Sequence, residues 1–357
     1  MKVCILGNGL TSLTLAKSLI NQGLQVDLFC EKKIKNYNKT RTIGLSKSNI
    51  EFFNKNILNI EKLLWDIKKI EVFSENLKNK KIIDFENNNQ RLFSIIKNYQ
   101  LINLLLKSLK KDRYFSFKYK NYNYEFLKKE YKIIINCEFN NKITKQYFFK
   151  KFDKDYKSRA YTTIINHNRL KNNIAYQVFT IGGPIAFLPI SNNKTSVVFS
   201  LRNKNNNFDV KSQIKKYNFK YENIKFQKID SFKLKSLDLR NYHYKNILAF
   251  GDLLHKIHPL AGQGFNISIR DIKELTSLVK FKIDLGLDLD NSICEDFESR
   301  TRHKNYLFTS GIDFIYEFFK LESRSKNSFL SNTVKFLGKN KNANKLFSKV
   351  ADNGIIF

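Results

Sequence analysis

The chain is poor in the residues that break regular structure, since its 357 residues include only 13 Gly and 3 Pro. It lacks any apolar run near the roughly 18 residues that a membrane-spanning helix needs. Glycines interrupt the apolar N-terminal residues early, which argues against a secretory signal. Cysteine is scarce and shows no CxxC spacing, so we interpret the thiols as buried and reduced, not as disulfides or metal ligands. They are Cys4, Cys30, Cys137 and Cys294.

Acidic residues are half as frequent as basic ones, with 32 Asp and Glu against 64 Lys and Arg, and the net charge is +32. The lysines are dispersed along the chain, without a basic arm or an aromatic RNA-binding signature. We therefore predict no nucleic-acid partner. Adhesion to an acidic bilayer surface stays open. The predicted location is cytoplasmic, with peripheral attachment to the inner membrane as the open alternative.

Apolar residues are plentiful at 42%, including 32 Phe and 17 Tyr, so the chain can form a sizeable core. The first thirty residues predict a βαβ unit: a strand over residues 2–6, helical spacing of apolar residues over 10–20, and a second strand over 24–30. Further on, Ser48-Asn-Ile-Glu51 fits a capping box that would begin another helix. Short β-like segments follow one another from about residue 161 to 230.

The sequence Gly7-Asn-Gly9-Leu-Thr-Ser12 lies between the first strand and its helix, where a dinucleotide fingerprint requires it. Gly7 permits a tight turn, Gly9 allows close approach of a pyrophosphate, and the new helix offers free N–H groups. Ser12 replaces the third glycine of the fingerprint and is small. Glu31 ends the second strand, where its carboxylate could accept hydrogen bonds from ribose hydroxyls. The alternative is an ordinary strand–turn–helix whose glycines only form the turn.

A second glycine-rich stretch, GDLLHKIHPLAGQGFN, follows an apolar strand over residues 247–250. Asp252 stands at the carboxyl end of that strand, where it could bind a polyhydroxy chain. The turn at Gly262–Gly264 would bring backbone N–H groups against a flat ring. A metal site at His255 and His258 is the alternative, but no Cys or carboxylate cluster completes it, so no metal is predicted.

At this stretch the chain resembles the FAD-dependent aromatic monooxygenases, in particular the ubiquinone-biosynthesis hydroxylases. Their signature GD-x-x-H-x-x-HP-x-AGQG-x-N fits it throughout. Arg41-Thr-Ile-Gly-Leu45 resembles the arginine loop of that family, and residues 175–177 and 183–189 resemble its substrate-domain strands. The resemblance implies an enzyme that uses FAD, NAD(P)H and O2 to hydroxylate the ring of a polyprenylated phenol in ubiquinone biosynthesis.

The resemblance also implies site residues. His258 and Pro259 are the catalytic candidates, with His258 either a general base or a residue that positions its loop. The remaining candidates are predicted to bind the cofactor: Gly7, Gly9, Ser12, Glu31, Arg41, Asp252, Gly262, Gln263, Gly264 and Asn266.

Three positions depart from the family pattern. Glu138-Phe139 stands where the family carries Asp-Gly, Leu253-Leu254 replaces small residues, and Tyr99 stands at a common arginine position. Phe139 loses the freedom of glycine to approach a phosphate. Two alternatives follow: a catalytically weakened flavin-binding protein that serves as an assembly partner, and an FAD-dependent prenyl-lipid reductase of the same fold.

The predicted fold class is α/β, a doubly wound FAD-binding, Rossmann-like domain with an inserted β-rich substrate domain and a helical C-terminal tail. We assign residues 1–70, 97–160 and 243–300 to the first domain, 71–96 and 161–242 to the second, and 301–357 to the tail. Phe308, Ile312, Ile315 and Phe319 share one face of that tail. This face could touch a bilayer, or pack on the core or on a partner subunit. Homo-oligomers and complexes with other quinone-biosynthesis enzymes are further partners left open.

Overall fold

A computed structural model of the chain describes residues 1–31, 38–86, 90–119, 122–202, 209–258 and 262–325, together with residue 332. Its strands form three sheets. The helices are α1 (Leu10–Ile20), α2 (Lys47–Asn56), α3 (Asn98–Leu109), α4 (Tyr124–Glu130), α5 (Lys142–Tyr147), α6 (Val210–Tyr217), α7 (Gly264–Asp284) and α8 (Ser292–Ser325).

The first sheet is mostly parallel and confirms the α/β class. Its strands are β1 (Lys2–Leu6), β2 (Gln25–Phe29), β8 (Phe115–Lys118), β9 (Ile133–Asn136), β16 (His243–Tyr244) and β17 (Ile247–Ala249), in the order β16-β17-β9-β1-β2-β8. The predicted βαβ unit is present, because β1 pairs in parallel with β2 across α1. The central strands are apolar and buried, as expected when both faces of a parallel sheet are covered.

The second sheet is the β-rich part of the fold and is mainly antiparallel. Its order is β18-β15-β10-β13-β12-β11-β5-β6, with β14 paired to β10. The strands are β5 (Lys69–Ser74), β6 (Lys80–Glu86), β10 (Lys151–Asn166), β11 (Ile174–Thr180), β12 (Gly183–Ser191), β13 (Lys194–Arg202), β14 (Lys225–Phe226), β15 (Asp230–Leu239) and β18 (His255–Lys256).

A small third sheet packs against the second sheet. It contains β3 (Thr42–Ser46), β4 (Trp65–Ile67) and β7 (Phe93–Lys97), in the order β3-β7-β4. Four elements cross the predicted domain boundaries. β5 runs through residue 70, β7 through residue 96 and β10 through residue 160, and α8 runs through residue 300 as one helix of 34 residues. The tail therefore begins inside a continuous helix.

Two local predictions need correction. The capping box at Ser48 is wrong, because α2 begins at Lys47 and its N-cap is Ser46, without a side-chain cap. On α8, Phe308 is buried and Ile312 packs against an inner cluster, whereas Ile315 is 42% exposed. The predicted four-residue face is thus divided between the inner and outer sides of the helix.

Candidate functional site

The parallel sheet places five loops at one edge. β17, β9, β1, β2 and β8 run parallel as neighbours, so their carboxyl ends lie together. β2 and β8 lie on one side of β1, and β9 and β17 lie on the other. The strand order therefore reverses between β1 and β9, which is the switch point where open α/β sheets bind ligands.

The loop after β1 begins with Gly7, whose φ of 101° is a conformation that favours glycine. Its N–H donates to the Phe29 carbonyl at 2.9 Å and so fixes the loop to the end of β2. Gly9 is the N-cap of α1, no side chain caps this end, and a Cβ on Gly9 would meet no atom within 4 Å. Ser12 is buried and hydrogen-bonds the Cys137 thiol, so α1 packs close to the end of β9. The loop has the shape and the open space that a pyrophosphate requires.

The loop after β17 touches the first turn of α1. Gly251 has a φ of 65°, and a Cβ there would lie 2.9 Å from Cγ2 of Thr11. Asp252 follows at the same edge with an exposed side chain. The two glycine-rich stretches, about 240 residues apart in the sequence, therefore meet in space.

Strand β3, which follows Arg41, is fixed to the start of α7 by Asn266, which is fully buried. Its Oδ1 accepts from the Ser46 N–H at 3.0 Å and from Asn49 Nδ2 at 2.9 Å, and its Nδ2 donates to the Gly44 carbonyl at 2.9 Å. The side chain is thus occupied by protein groups, and its contact with a cofactor stays a prediction. Arg41 is exposed, with its guanidinium 5.3 Å from the Phe232 ring.

The glycines of this junction make room for one aromatic ring. A Cβ on Gly44 would lie 1.8 Å from Cζ of Phe93, and a Cβ on Gly262 would lie 3.2 Å from the Gly44 nitrogen. Gly262 has a φ of 67°. Gln263 is the N-cap of α7, and among the described residues its buried Oε1 has no hydrogen-bond partner. Gly264 begins the helix; Pro259 lies outside the described residues.

The two histidines of the second stretch have different environments. His255 bonds Asp271, and Asn305 donates to the other oxygen of that carboxylate at 2.9 Å. Burial opposes protonation of His255, but the charge and hydrogen bond of Asp271 raise its pKa. His258 packs between Tyr316 and Tyr156, with ring centroids 4.3 Å and 5.0 Å away.

Burial lowers the pKa of His258 to about 3, and its ring nitrogens have no partner among the described residues. This environment keeps the ring neutral and favours the positioning role over the general base. No group of three or more metal-ligating side chains occurs within the part of the chain that the structure describes.

Glu138 points toward the loop after β1. A Cβ on Gly7 would lie 3.3 Å from Oε2 of Glu138. Burial and the nearby charge of Glu31 raise the pKa of Glu138. Phe139 is 43% exposed, and the Lys151 ammonium lies 5.1 Å from its ring. Glu138 keeps the carboxylate of the family's Asp, so a second carboxylate lies near Glu31, where a pyrophosphate would bring further negative charge.

One row of side chains on the second sheet faces the small sheet. Thr162, Val198, Ala186 and Gln177 are cross-strand neighbours in turn. The Thr162 hydroxyl lies 3.3 Å from that of Thr40, just before β3. Apart from Thr162, this row is only partly buried. The opposite face of the same strands is filled by the large cluster around Phe187 and Phe199.

Sequence reasoning missed several residues of this region: Thr11, Phe93, Tyr156, Asp271, Asn305 and Tyr316. Asp271 lies on the second turn of a helix, where a carboxylate is normally a solvated surface residue. Tyr156 and Tyr316 come from distant elements and carry no local motif. Only their packing against the second glycine stretch identifies them.

No protein-family model matches the chain. Among curated proteins, it is 31% identical over 80 residues to the mitochondrial ubiquinone biosynthesis monooxygenase COQ6 of Dictyostelium discoideum, covering 22% of the chain and 16% of that protein. It is 28% identical over 151 residues to 3-demethoxyubiquinol 3-hydroxylase of Escherichia coli (strain K12), a match that covers 40% of the chain and 38% of that protein. The matched segments thus span less than half of these relatives.

Solved structures match over nearly the whole chain. The p-nitrophenol 4-monooxygenase PnpA from Pseudomonas putida DLL-E4 superposes with a TM-score of 0.79 at 11% identity, covering 99% of this chain and 98% of that one. PqsL from Pseudomonas aeruginosa, described as "a probable FAD-dependent monooxygenase", superposes with a TM-score of 0.70 at 14% identity. The match covers 94% of this chain and 99% of that one. The chain therefore has the fold of the FAD-dependent aromatic monooxygenases and sequence similarity to the ubiquinone-biosynthesis hydroxylases, as its motifs predict.

Proposed function

We propose that this chain is an FAD-dependent monooxygenase that hydroxylates the aromatic ring of a polyprenylated phenol in ubiquinone biosynthesis, with NAD(P)H as reductant and O2 as oxidant. The observation that carries the proposal is the contact between Gly251 and Thr11, which brings both glycine-rich loops to one sheet edge. Similarity to hydroxylases and monooxygenases named for ubiquinone synthesis supplies the substrate class.

The residues at the sheet edge fit FAD in most respects. The loop from Gly7 to Ser12 and the uncapped start of α1 would hold the pyrophosphate, and Glu31 the adenosine ribose. Asp252 would bind the ribityl chain, and the turn from Gly262 to Gly264 would meet the flavin ring. FAD, when bound, supplies the redox chemistry and the oxygen transfer. The Glu138 carboxylate, beside Gly7, opposes the charge of the cofactor.

The protein itself would orient the ring of the substrate and exclude water. The partly buried row on the second sheet, including Ala186 and Val198, would contact an aromatic substrate. His258, neutral between two tyrosines, would hold the loop that precedes α7. NAD(P)H use, a cytoplasmic location, and assembly with itself or with other quinone-biosynthesis enzymes remain predictions.

Purified protein tests the proposal. We expect it to bind FAD with a yellow flavin spectrum, and expect NADPH to bleach that spectrum under anaerobic conditions, faster when a prenylphenol is present. Mass spectrometry after O2 is admitted should detect one added oxygen atom on the ring. A protein that takes up no FAD would contradict the whole assignment.

The assembly-partner alternative rests on one observation, the position of Glu138 beside Gly7. It predicts a flavin that binds but stays yellow with NADPH and prenylphenol. The anaerobic experiment therefore separates the two functions, since both require FAD and only the hydroxylase reduces it.

A further inference from the structure

The helix α8 is polar on the side that faces the protein. Asn305 bonds Asp271, Thr309 bonds Asp238 at 3.3 Å, Asp313 bonds the Tyr156 hydroxyl, and the Tyr316 hydroxyl lies 3.1 Å from that of Ser158. These side chains recur at intervals of three or four residues, so they form one inward stripe. Polar contacts, together with aromatic stacking, hold the inward side of α8 against the protein.

The outward side of the same segment carries large exposed apolar side chains. Phe314 is 68% exposed and Leu321 is 59% exposed. The Glu317 carboxylate, 30% exposed, lies on this side as well, but it is paired with Lys154 and Lys320. In a chain with 27% charged residues, a helix face about 22 Å long, at 1.5 Å per residue, whose exposed positions carry no charge is unusual. We call this face the α8 stripe; its exposed members are Tyr306, Leu307, Ser310, Gly311, Phe314, Ile315 and Leu321.

A neighbouring loop extends the exposed apolar surface. The Phe179 ring stacks on Phe319 with centroids 3.6 Å apart, which places the turn after β11 beside the helix. Ile181 in that turn is 54% exposed. A contiguous apolar surface of this kind indicates an interaction site.

The net charge of the chain favours an anionic surface over a second copy of the chain as the partner of the α8 stripe. A second copy would bring another +32 into contact, and like charges of that size oppose association. An anionic surface is attracted instead. The residues that follow α8, 326–357, contain six lysines and one Asp, so the sequence next to the stripe is also basic.

From this combination we infer that the α8 stripe lies in the interface of an anionic lipid bilayer, with the basic residues of the chain meeting lipid headgroups. No helix within the described parts of the chain is long and apolar enough to span a bilayer. The contact is therefore that of a helix lying along the surface, with Phe314 and Leu321 among the acyl chains.

The inner side of α8 links this contact to the site, because Tyr316 stacks on His258. Under the proposed function, a prenylated lipid would then enter from the bilayer next to the second glycine stretch. That consequence rests on the proposed function, whereas the binding to a bilayer does not.

Vesicle co-sedimentation of the full chain tests the inference. The variant is Phe314→Asp with Leu321→Asp. The matched control, Phe281→Asp with Leu285→Asp, lies at the end of α7, where both residues are about equally exposed at 58% and 57%. Both variants change the net charge by the same amount, so only the position differs.

On vesicles of phosphatidylcholine with phosphatidylglycerol, we expect the α8 variant to bind at least about tenfold more weakly than wild type, and the control to bind within about twofold. The difference should persist at 0.5 M NaCl, where surface charge is screened.

Equal binding of the two variants would overturn the inference. So would a wild-type dimer, seen by analytical ultracentrifugation, that the α8 variant alone disrupts without weakening vesicle binding. Thermal unfolding checks that both variants fold, and FAD uptake is measured separately, so a failure here leaves the proposed function testable.

Discussion

Glu138 is the residue whose charge conflicts most directly with the proposed cofactor. It lies beside Gly7 and near Glu31, and burial and that neighbour together raise its pKa. A pyrophosphate in the loop would add negative charge to a site that already contains two carboxylates. Protonation of Glu138 removes one of them, so FAD affinity should depend on pH.

We predict that FAD binds wild type more tightly as pH falls through the raised pKa of Glu138, and that Glu138→Gln binds FAD about three- to tenfold more tightly at pH 8. Fluorescence titration of FAD between pH 5 and pH 8 measures both effects. Glu51→Gln, an exposed change on α2, is the control for net charge and should match wild type. Weaker binding by Glu138→Gln would mean that the carboxylate contacts the cofactor favourably.

His258 is a second residue whose environment decides its role. Its pKa is lowered to about 3, so it carries no proton to exchange near neutral pH. We predict that His258→Phe, which keeps a ring against Tyr316, retains the hydroxylation rate within about tenfold. Loss of a general base would instead cost about 100- to 10,000-fold.

The same residue affects stability. The unfolded chain takes up a proton at His258 below its ordinary pKa of about 6.5, whereas the folded chain does not. Proton uptake at His258 in the unfolded chain therefore lowers the free energy of unfolding as pH falls below 6.5. Urea unfolding at pH 7.5 and at pH 5 measures the effect. Between these two pH values, the free energy of unfolding should fall less for His258→Phe than for wild type. An equal fall in both proteins would contradict the buried, neutral state of His258.

At the scale of elements, one buried network joins three pieces of the fold. His255 in β18, Asp271 in α7 and Asn305 in α8 are bonded to one another through the Asp271 carboxylate, and Asp238 in β15 adds a further charge near His255. Both His255 and Asp271 are about 1% exposed at their side chains. Removal of one partner leaves a buried charge without compensation.

We predict that Asp271→Asn lowers the free energy of unfolding by about 3–5 kcal/mol at pH 6. The raised pKa of His255 means that the pair stabilises the fold below pH 6.5 and that this contribution is lost as pH rises through the pKa of the folded state. The difference in the free energy of unfolding between Asp271→Asn and wild type should therefore become smaller at alkaline pH. Chemical denaturation at several pH values measures this difference.

Glu298→Gln is the matched control for this network. Glu298 makes a similar pair with His243, at 2.9 Å, but the two side chains are 15% and 25% exposed. Because water reaches this pair, we expect a loss of about 1 kcal/mol or less. If both variants lost the same amount, burial of the Asp271 network would not be the cause of its effect.

For the whole molecule, the dominant electrostatic property is the net charge of +32. Self-repulsion of this size destabilises a compact state, and salt screens it. We predict that the melting temperature rises as NaCl increases from 50 to 500 mM. Differential scanning fluorimetry measures the rise, and NaCl and KCl should give equal effects at equal ionic strength. An unchanged or lower melting temperature would show that the charges are already neutralised by local pairs.

The sequence by itself determined the parts of this protein that depend on local patterns. Apolar periodicity and the position of Gly7 and Gly9 predicted the first βαβ unit, and the stretch from Gly251 to Asn266 identified the fold, because the turn, the glycines and the helix start lie within sixteen consecutive residues. Such signals need no knowledge of distant contacts.

Only the tertiary structure decided how the distant parts meet. Glu138 faces Gly7, His258 is neutral between Tyr156 and Tyr316, and the inner side of α8 is polar. All three facts depend on residues more than 30 positions apart. A side chain takes its charge state and exposure from its neighbours in space. Helical periodicity alone could not tell which side of α8 would be buried, because both sides carry large aromatic residues.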